Sequence, residues 1–137
     1  MVRRVALGLL LSGVLAACSL PGSVKPGDTQ DAVRSAAGRP TAIITLPGGG
    51  VRWQYSGQPH NQTVWNIDMD PQGRVVGVEQ MMDDAAFARI RSGADTRADV
   101  LRDFGPPAET FSFPLKDETA FMYRYFIHGG FYAAMFV

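Results

Sequence analysis

A single cysteine, Cys18, in 137 residues rules out an intramolecular disulfide. Neither sign of charge is in excess, with 13 basic and 13 acidic residues, so nothing in the composition favours nucleic acid as a partner. No apolar run reaches the length of an ordinary transmembrane helix. The motifs of common enzymes are missing too. There is no G-x-S-x-G stretch, and His128-Gly129-Gly130 alone is no oxyanion loop. No loop fits the EF-hand pattern. Two histidines, His60 and His128, complete the stock of imidazoles, and both sit in turn-rich segments beside Pro or Gly.

What the chain does have is an internal echo. Gly93–Pro107 reads G-A-D-T-R-A-D-V-L-R-D-F-G-P-P, and Gly27–Pro40 reads G-D-T-Q-D-A-V-R-S-A-A-G-R-P. Aligning Thr29 with Thr96 superposes Val33 on Val100, Gly38 on Gly105 and Pro40 on Pro107. Threonine caps a helix start by accepting an N–H of the first turn. In the second copy Asp99 completes a T-x-x-D capping pattern, whereas Ala32 stands there in the first, leaving Asp31 only the helix dipole. Glycine then suits a left-handed helix end, and proline prevents continuation. Two short helices follow, each with an apolar i, i+4 pair: Val33 with Ala37, and Val100 with Phe104. Such repetition points to two tandem units.

The N-terminus reads as an export signal. Arg3 and Arg4 precede an apolar run from Val5 to Leu11, then Ser12-Gly13-Val14 and Leu15-Ala16-Ala17-Cys18. Residues 15–18 match the bacterial lipobox, which implies cleavage after Ala17 and acylation of Cys18. An acylated Cys18 cannot serve in a Cys/His nucleophile pair. The mature chain loses Arg3 and Arg4 and keeps eleven basic against thirteen acidic residues. Ser19 follows the cysteine; by the sorting rule of enteric-type bacteria, a serine there implies the outer membrane, facing the periplasm. Acyl chains supply membrane affinity of roughly 0.8 kcal/mol per buried CH₂.

Residues 18–26 read as a Pro/Gly/Ser tether, with 1–17 as signal peptide, 27–82 as the first unit and 83–137 as the second. After the first helix, Thr41–Leu46 is β-rich and Pro47 breaks it. Val51–Ser56 alternates, with Val51, Trp53 and Tyr55 on one face. Val64–Asp70 and Arg74–Met81 flank the turn Asp70-Pro71-Gln72-Gly73 and form a hairpin. Asp83–Ser92 reads as a helix, Glu109–Phe113 as a strand, and Ala120–Ile127 as a strand with Phe121, Tyr123, Tyr125 and Ile127 aligned. Tyr123-Arg124-Tyr125 answers Trp53-Gln54-Tyr55. Phe131–Val137 begins a further strand, and the analogy with the first unit expects a return strand beyond it, so the second unit reads as cut short.

The run Phe87-x-x-Ile90-x-x-Gly93, then Thr96, Val100, Gly105 and Pro107, followed by aromatic strands, resembles the BamE-like (SmpA/OmlA) outer-membrane lipoproteins. That resemblance covers roughly 24–137 and implies paired helices on an antiparallel sheet, with a role beside the β-barrel assembly machinery. The doubled arrangement is similar to the β-lactamase inhibitor proteins, in which two such units lie side by side. BamE-like chains carry one unit and this one reads as two, so the family's contact surface does not transfer residue by residue. Caps and breakers carry the resemblance, and they speak for fold more than for function.

The expected fold is therefore α+β: two tandem helix-plus-sheet units sharing one continuous antiparallel sheet, with helices on one face. No cofactor and no metal is expected. Asp68 and Asp70, near Asp83 and Asp84, are the nearest approach to a metal cluster, but Asp70 serves a turn more simply. Asn61-Gln62-Thr63 matches a glycosylation acceptor by accident in a bacterial lipoprotein. The aromatic residues Trp53, Tyr55, Trp65, Tyr123, Tyr125, Phe126 and Tyr132 are the candidate protein-binding set, because the second unit carries large apolar residues on both strand faces. The expected function is a non-enzymatic outer-membrane lipoprotein that binds envelope proteins, with the barrel-assembly machinery the partner that the resemblance implies. The alternative is an inhibitor-like binder that clamps a periplasmic or secreted enzyme with an aromatic sheet face.

Overall fold

Thr29 and Thr96 each open a helix as the sequence requires. The computed structural model describes residues 21–127 and, as backbone, 132–136. The signal peptide, Cys18 and His128 lie outside the described residues. Helix α1 spans Gln30–Ala37; the Thr29 hydroxyl accepts the Ala32 N–H at 3.2 Å, and Gly38, at φ +74°, donates its N–H to Arg34 O. Helix α2 spans Asp84–Phe87. Helix α3 spans Arg97–Phe104 and has the full capping box: Asp99 N–H donates to Thr96 Oγ1 at 3.3 Å, and Thr96 N–H donates to Asp99 Oδ2 at 2.8 Å. Gly105, at φ +72°, ends it with its N–H on Leu101 O. Val33, Val100 and Phe104 are buried, as their i, i+4 placement demands.

Helix α2 is shorter than the pattern Asp83–Ser92 predicts. Asp83 caps it, accepting the Ala86 N–H at 2.7 Å. Past Phe87 the bonds tighten, with Arg89 N–H on Ala86 O and Ile90 N–H on Phe87 O. Arg91 then donates its N–H to Asp95 Oδ2 at 2.8 Å instead of to the helix, and Gly93 takes φ +76°. A carboxylate four residues ahead outcompetes the helical acceptor.

The strands fall where alternation places them. Strands β1 (Ala42–Thr45), β2 (Val51–Ser56), β3 (Val64–Met69) and β4 (Val75–Gln80) form an antiparallel sheet in sequence order. Its register sets Trp53 opposite Ile67 and Tyr55 opposite Trp65. The β3–β4 turn is held by Asp70, whose Oδ1 accepts the N–H groups of Gln72 and Arg74. Strands β5 (Glu109–Phe113), β6 (Glu118–Phe126) and β7 (Tyr132–Phe136) form a second antiparallel sheet, also in order.

Two sheets replace the single continuous one expected. The chain leaves β4 at Gln80, whose Oε1 accepts the Met82 N–H at 2.5 Å, and Met81 and Met82 turn into the core. α2 and α3 follow, and α3 lies on the far side of the first sheet from α1. Alternation makes this plain: Trp53, Tyr55, Ile67 and Met69 share a core with Val33 of α1, whereas Gln54 and Asn66, on the opposite face, bond to the last carbonyls of α3. Helices therefore pack on both faces of the first sheet. Val64 joins Met82, Phe87, Phe104, Tyr123 and Tyr125 in a separate core. There Phe87 stacks on Phe104 with ring centroids 4.8 Å apart.

The stretch expected as a tether is folded from Pro21 onward. Pro21–Ser23 makes one 3₁₀ turn, Val24 is buried with Val33 and Ile67, and Gly27 N–H bonds to Val75 O at 2.7 Å. An apolar side chain at position 24 has core to bury in, which a Pro/Gly count does not reveal.

Candidate protein-binding face

Most of the aromatic residues picked from sequence are core. Trp53 is 3% exposed, Tyr55 8%, Tyr123 0% and Tyr125 5%. These four are buried and do not form the solvent-facing row expected of them. Alternation shows which residues share a face; it does not show which face a helix covers. Trp53 lies under Arg34, whose guanidinium carbon is 5.1 Å from the ring centroid. Tyr55 and Tyr123 have matching duties: each donates its hydroxyl to the glycine that ends a helix, Tyr55 to Gly38 O at 3.1 Å and Tyr123 to Gly105 O at 2.7 Å. Tyr123, rather than Tyr125, thus answers Tyr55. Burial raises the pKa of both phenols. Tyr125 donates to Asp84 Oδ1 at 2.8 Å, and that bond is the main cause of its raised pKa. Trp65 is half-buried, and the side chain of Tyr132 lies outside the described residues.

Phe126 does face outward, 55% exposed. It is joined by two residues that the sequence reading passed over, Phe113 at 47% and Phe111 at 38%. The register explains the grouping. Phe111 pairs with Ala120, Phe113 with Glu118 and Glu109 with Met122, so all of these share one face with Phe126. Phe121, Tyr123 and Tyr125 take the other face, against α2 and α3. An ion pair between Arg124 and Glu109 crosses the outer face, and Leu115 stands fully exposed in the β5–β6 turn. The signal for Phe111 and Phe113 was available in E-T-F-S-F, where two phenylalanines sit two apart on a strand with polar neighbours.

A charged cleft of about 280 Å³ lies between the back of the first sheet and the α2–α3 segment. Arg52 donates from Nε and Nη2 to the two carboxylate oxygens of Asp68, at 2.6 and 2.8 Å, and from Nη1 to Asp103 at 2.8 Å. Arg102 bonds Asp99 at 2.6 Å and Asp103 at 3.0 Å, Arg91 bonds Asp95, and Arg89 bonds Glu79. The Thr96 hydroxyl and N–H, with Arg102, pull the Asp99 carboxyl down to about 2. The charged groups of the cleft are thus paired with one another across the sheet and α3. On the same face of the sheet, buried Gln54 and Asn66 cap α3: Gln54 Nε2 donates to Arg102 O at 3.1 Å, and Asn66 Nδ2 to Asp103 O at 2.8 Å. Neither could be singled out from sequence, because the carbonyls they serve are 37 and 48 residues away.

Asp70 and Asp83 are occupied as turn and cap, and His60 is exposed in the β2–β3 loop. That loop also bridges the sheets. Gln58 donates through Nε2 to Arg124 O at 2.5 Å and accepts the Arg124 N–H at 3.3 Å, so one side-chain amide pairs with β6 like a strand residue. Among the described residues, no group of three or more His, Cys, Asp or Glu is placed to hold a metal ion, and no helix is long and apolar enough to cross a membrane. No protein-family model, curated protein or solved structure matches this chain.

Proposed function

We propose that this chain is a lipid-anchored outer-membrane lipoprotein, facing the periplasm, that acts without catalysis as a protein-binding module in envelope assembly or maintenance. The observation that carries the reading is the outer face of the second sheet. Phe111 and Phe113 are presented there two residues apart on β5, with Phe126 on the same face at the far end of β6, while the inner face of the same sheet is filled by helices. Exposed aromatic clusters with a polar rim are what protein-binding hot spots are made of. The Leu15–Cys18 lipobox supports the anchor, and the BamE-like pattern of caps and breakers supports the setting. Two tandem units remain our reading of the architecture. It is supported by the doubled Thr cap, the doubled positive-φ glycine and the doubled tyrosine-to-glycine hydrogen bond.

The inhibitor-like alternative needed an exposed Trp/Tyr face, and burial of Trp53, Tyr55, Tyr123 and Tyr125 removes its main support. The test of the proposal is affinity capture of the acylated protein from crosslinked envelopes, with wild type and Phe113→Glu compared. A partner that is recovered with wild type and lost with the variant supports it. A set of captured proteins unchanged by Phe113→Glu contradicts it.

A further inference from the structure

The chain is already folded at Pro21, the first described residue and three positions after Cys18, and this bears on how an acylated chain would meet the membrane. Pro21–Ser23 is a turn of the domain itself, and Gly22 lies against the Trp65 ring so closely that a Cβ there would stand 2.8 Å from it. Three residue steps from Cys18 to Pro21 span at most about 11 Å. The headgroup layer is of the same order, roughly 5–8 Å on each side of the hydrocarbon. A domain tied this closely cannot hang free of the surface.

The corner that the leash reaches is a shallow groove of about 900 Å³. Trp65, Tyr55 and Pro21 line it with Thr41, Asn61 and Thr63, and no charged side chain does. Tryptophan favours the boundary between headgroups and acyl chains, where its ring meets apolar matter and its N–H meets water. Hydroxyl and amide groups suit ester carbonyls and headgroup oxygens. We infer that this groove is a membrane-docking site: Trp65 rests in the interfacial layer of the bilayer that holds the Cys18 acyl chains. The inference rests on acylation of Cys18. It adds an orientation, with the Trp65 corner down.

The test uses the acylated full protein in vesicles of phosphatidylethanolamine and phosphatidylglycerol, with and without bromine on the lipid chains near the carbonyl end. Intact mass first establishes whether Cys18 carries acyl groups. Bromine is expected to quench the tryptophan emission of the wild type. Trp65→Phe should abolish the quenching, while Trp53→Phe, which removes the buried indole, should keep it. A Gly/Ser spacer inserted between Leu20 and Pro21, which leaves every folded residue unchanged, should retain membrane association and lose the quenching. An acylated, vesicle-bound protein whose emission ignores bromine overturns the docking site and leaves the anchor standing. Quenching that survives Trp65→Phe or the spacer also overturns it. A chain without acyl groups overturns the anchor itself, and the placement with it.

Discussion

Replacing Gly105 with alanine separates two demands that the fold makes on one glycine. Gly38 and Gly105 end their helices with nearly the same backbone, φ +74° and ψ −149° against φ +72° and ψ −172°. That region is essentially reserved for glycine, and forcing an L-residue into it costs about 1–3 kcal/mol. Both alanine variants should lose this much. The surroundings differ. A Cβ on Gly38 meets nothing within 4 Å, whereas one on Gly105 would stand 2.9 Å from Gln54 Oε1. Gln54 is 1% exposed, so its amide cannot swing into water. It holds Asn66 Oδ1 at 3.0 Å and Arg102 O at 3.1 Å. Displacing it weakens both bonds, at about 1 kcal/mol each and more where a buried group is left unpaired. Gly105→Ala should therefore lose about 1–3 kcal/mol beyond Gly38→Ala. Urea titration followed by tryptophan fluorescence reads the difference. Equal losses in the two variants, or a neutral Gly105→Ala, would refute the reasoning.

The other consequences are local. Asp99 titrates at about 2 in the fold against an ordinary 3.8, so its contribution is complete above that ordinary value and is lost as pH falls through about 2. Asp99→Asn should flatten that acid limb, read by denaturant titrations stepped across the range, and an unchanged limb would remove the capping-box assignment. Tyr123→Phe deletes a buried donor to Gly105 O and should cost about 1 kcal/mol, measured by the same titration, with a neutral result counting against the bond. Gln58→Ala should speed amide exchange at Arg124 while leaving Val33, buried in α1 with its N–H on Thr29 O, protected; equal protection at Arg124 would show that the side chain does not hold the sheets.

Local chemistry is what the sequence displays well. Thr29, Thr96, Gly38 and Gly105 were legible because a cap involves neighbours three or four residues away. The strands were legible because their alternation is unbroken, and the Asp70 turn because its side chain bonds its own loop. Legibility fails where a distant group decides. Helix α2 stops early because Asp95 captures the Arg91 N–H. The single sheet becomes two because Met81 and Met82 leave β4 for a core that forms with residues some forty positions on. The candidate site was half legible for the same reason. Parity grouped Tyr123 with Tyr125 and set Phe126 opposite them, yet only the position of α2 and α3 tells that the first pair is inside. Phe113 could have been found from its spacing to Phe111, had the polar neighbours Thr110 and Ser112 been weighed.

The measurement that bears most directly on the proposed function is in-cell photocrosslinking from single positions of the anchored protein. A photoreactive residue at Phe113 or Leu115 samples the outer face of the second sheet and the turn beside it, and one at Val76, 60% exposed on β4, samples the first sheet. The account predicts a discrete adduct with one envelope protein from positions 113 and 115 and none from 76. Adducts from Val76 alone, or none from the outer face under conditions where Val76 reacts, would contradict it.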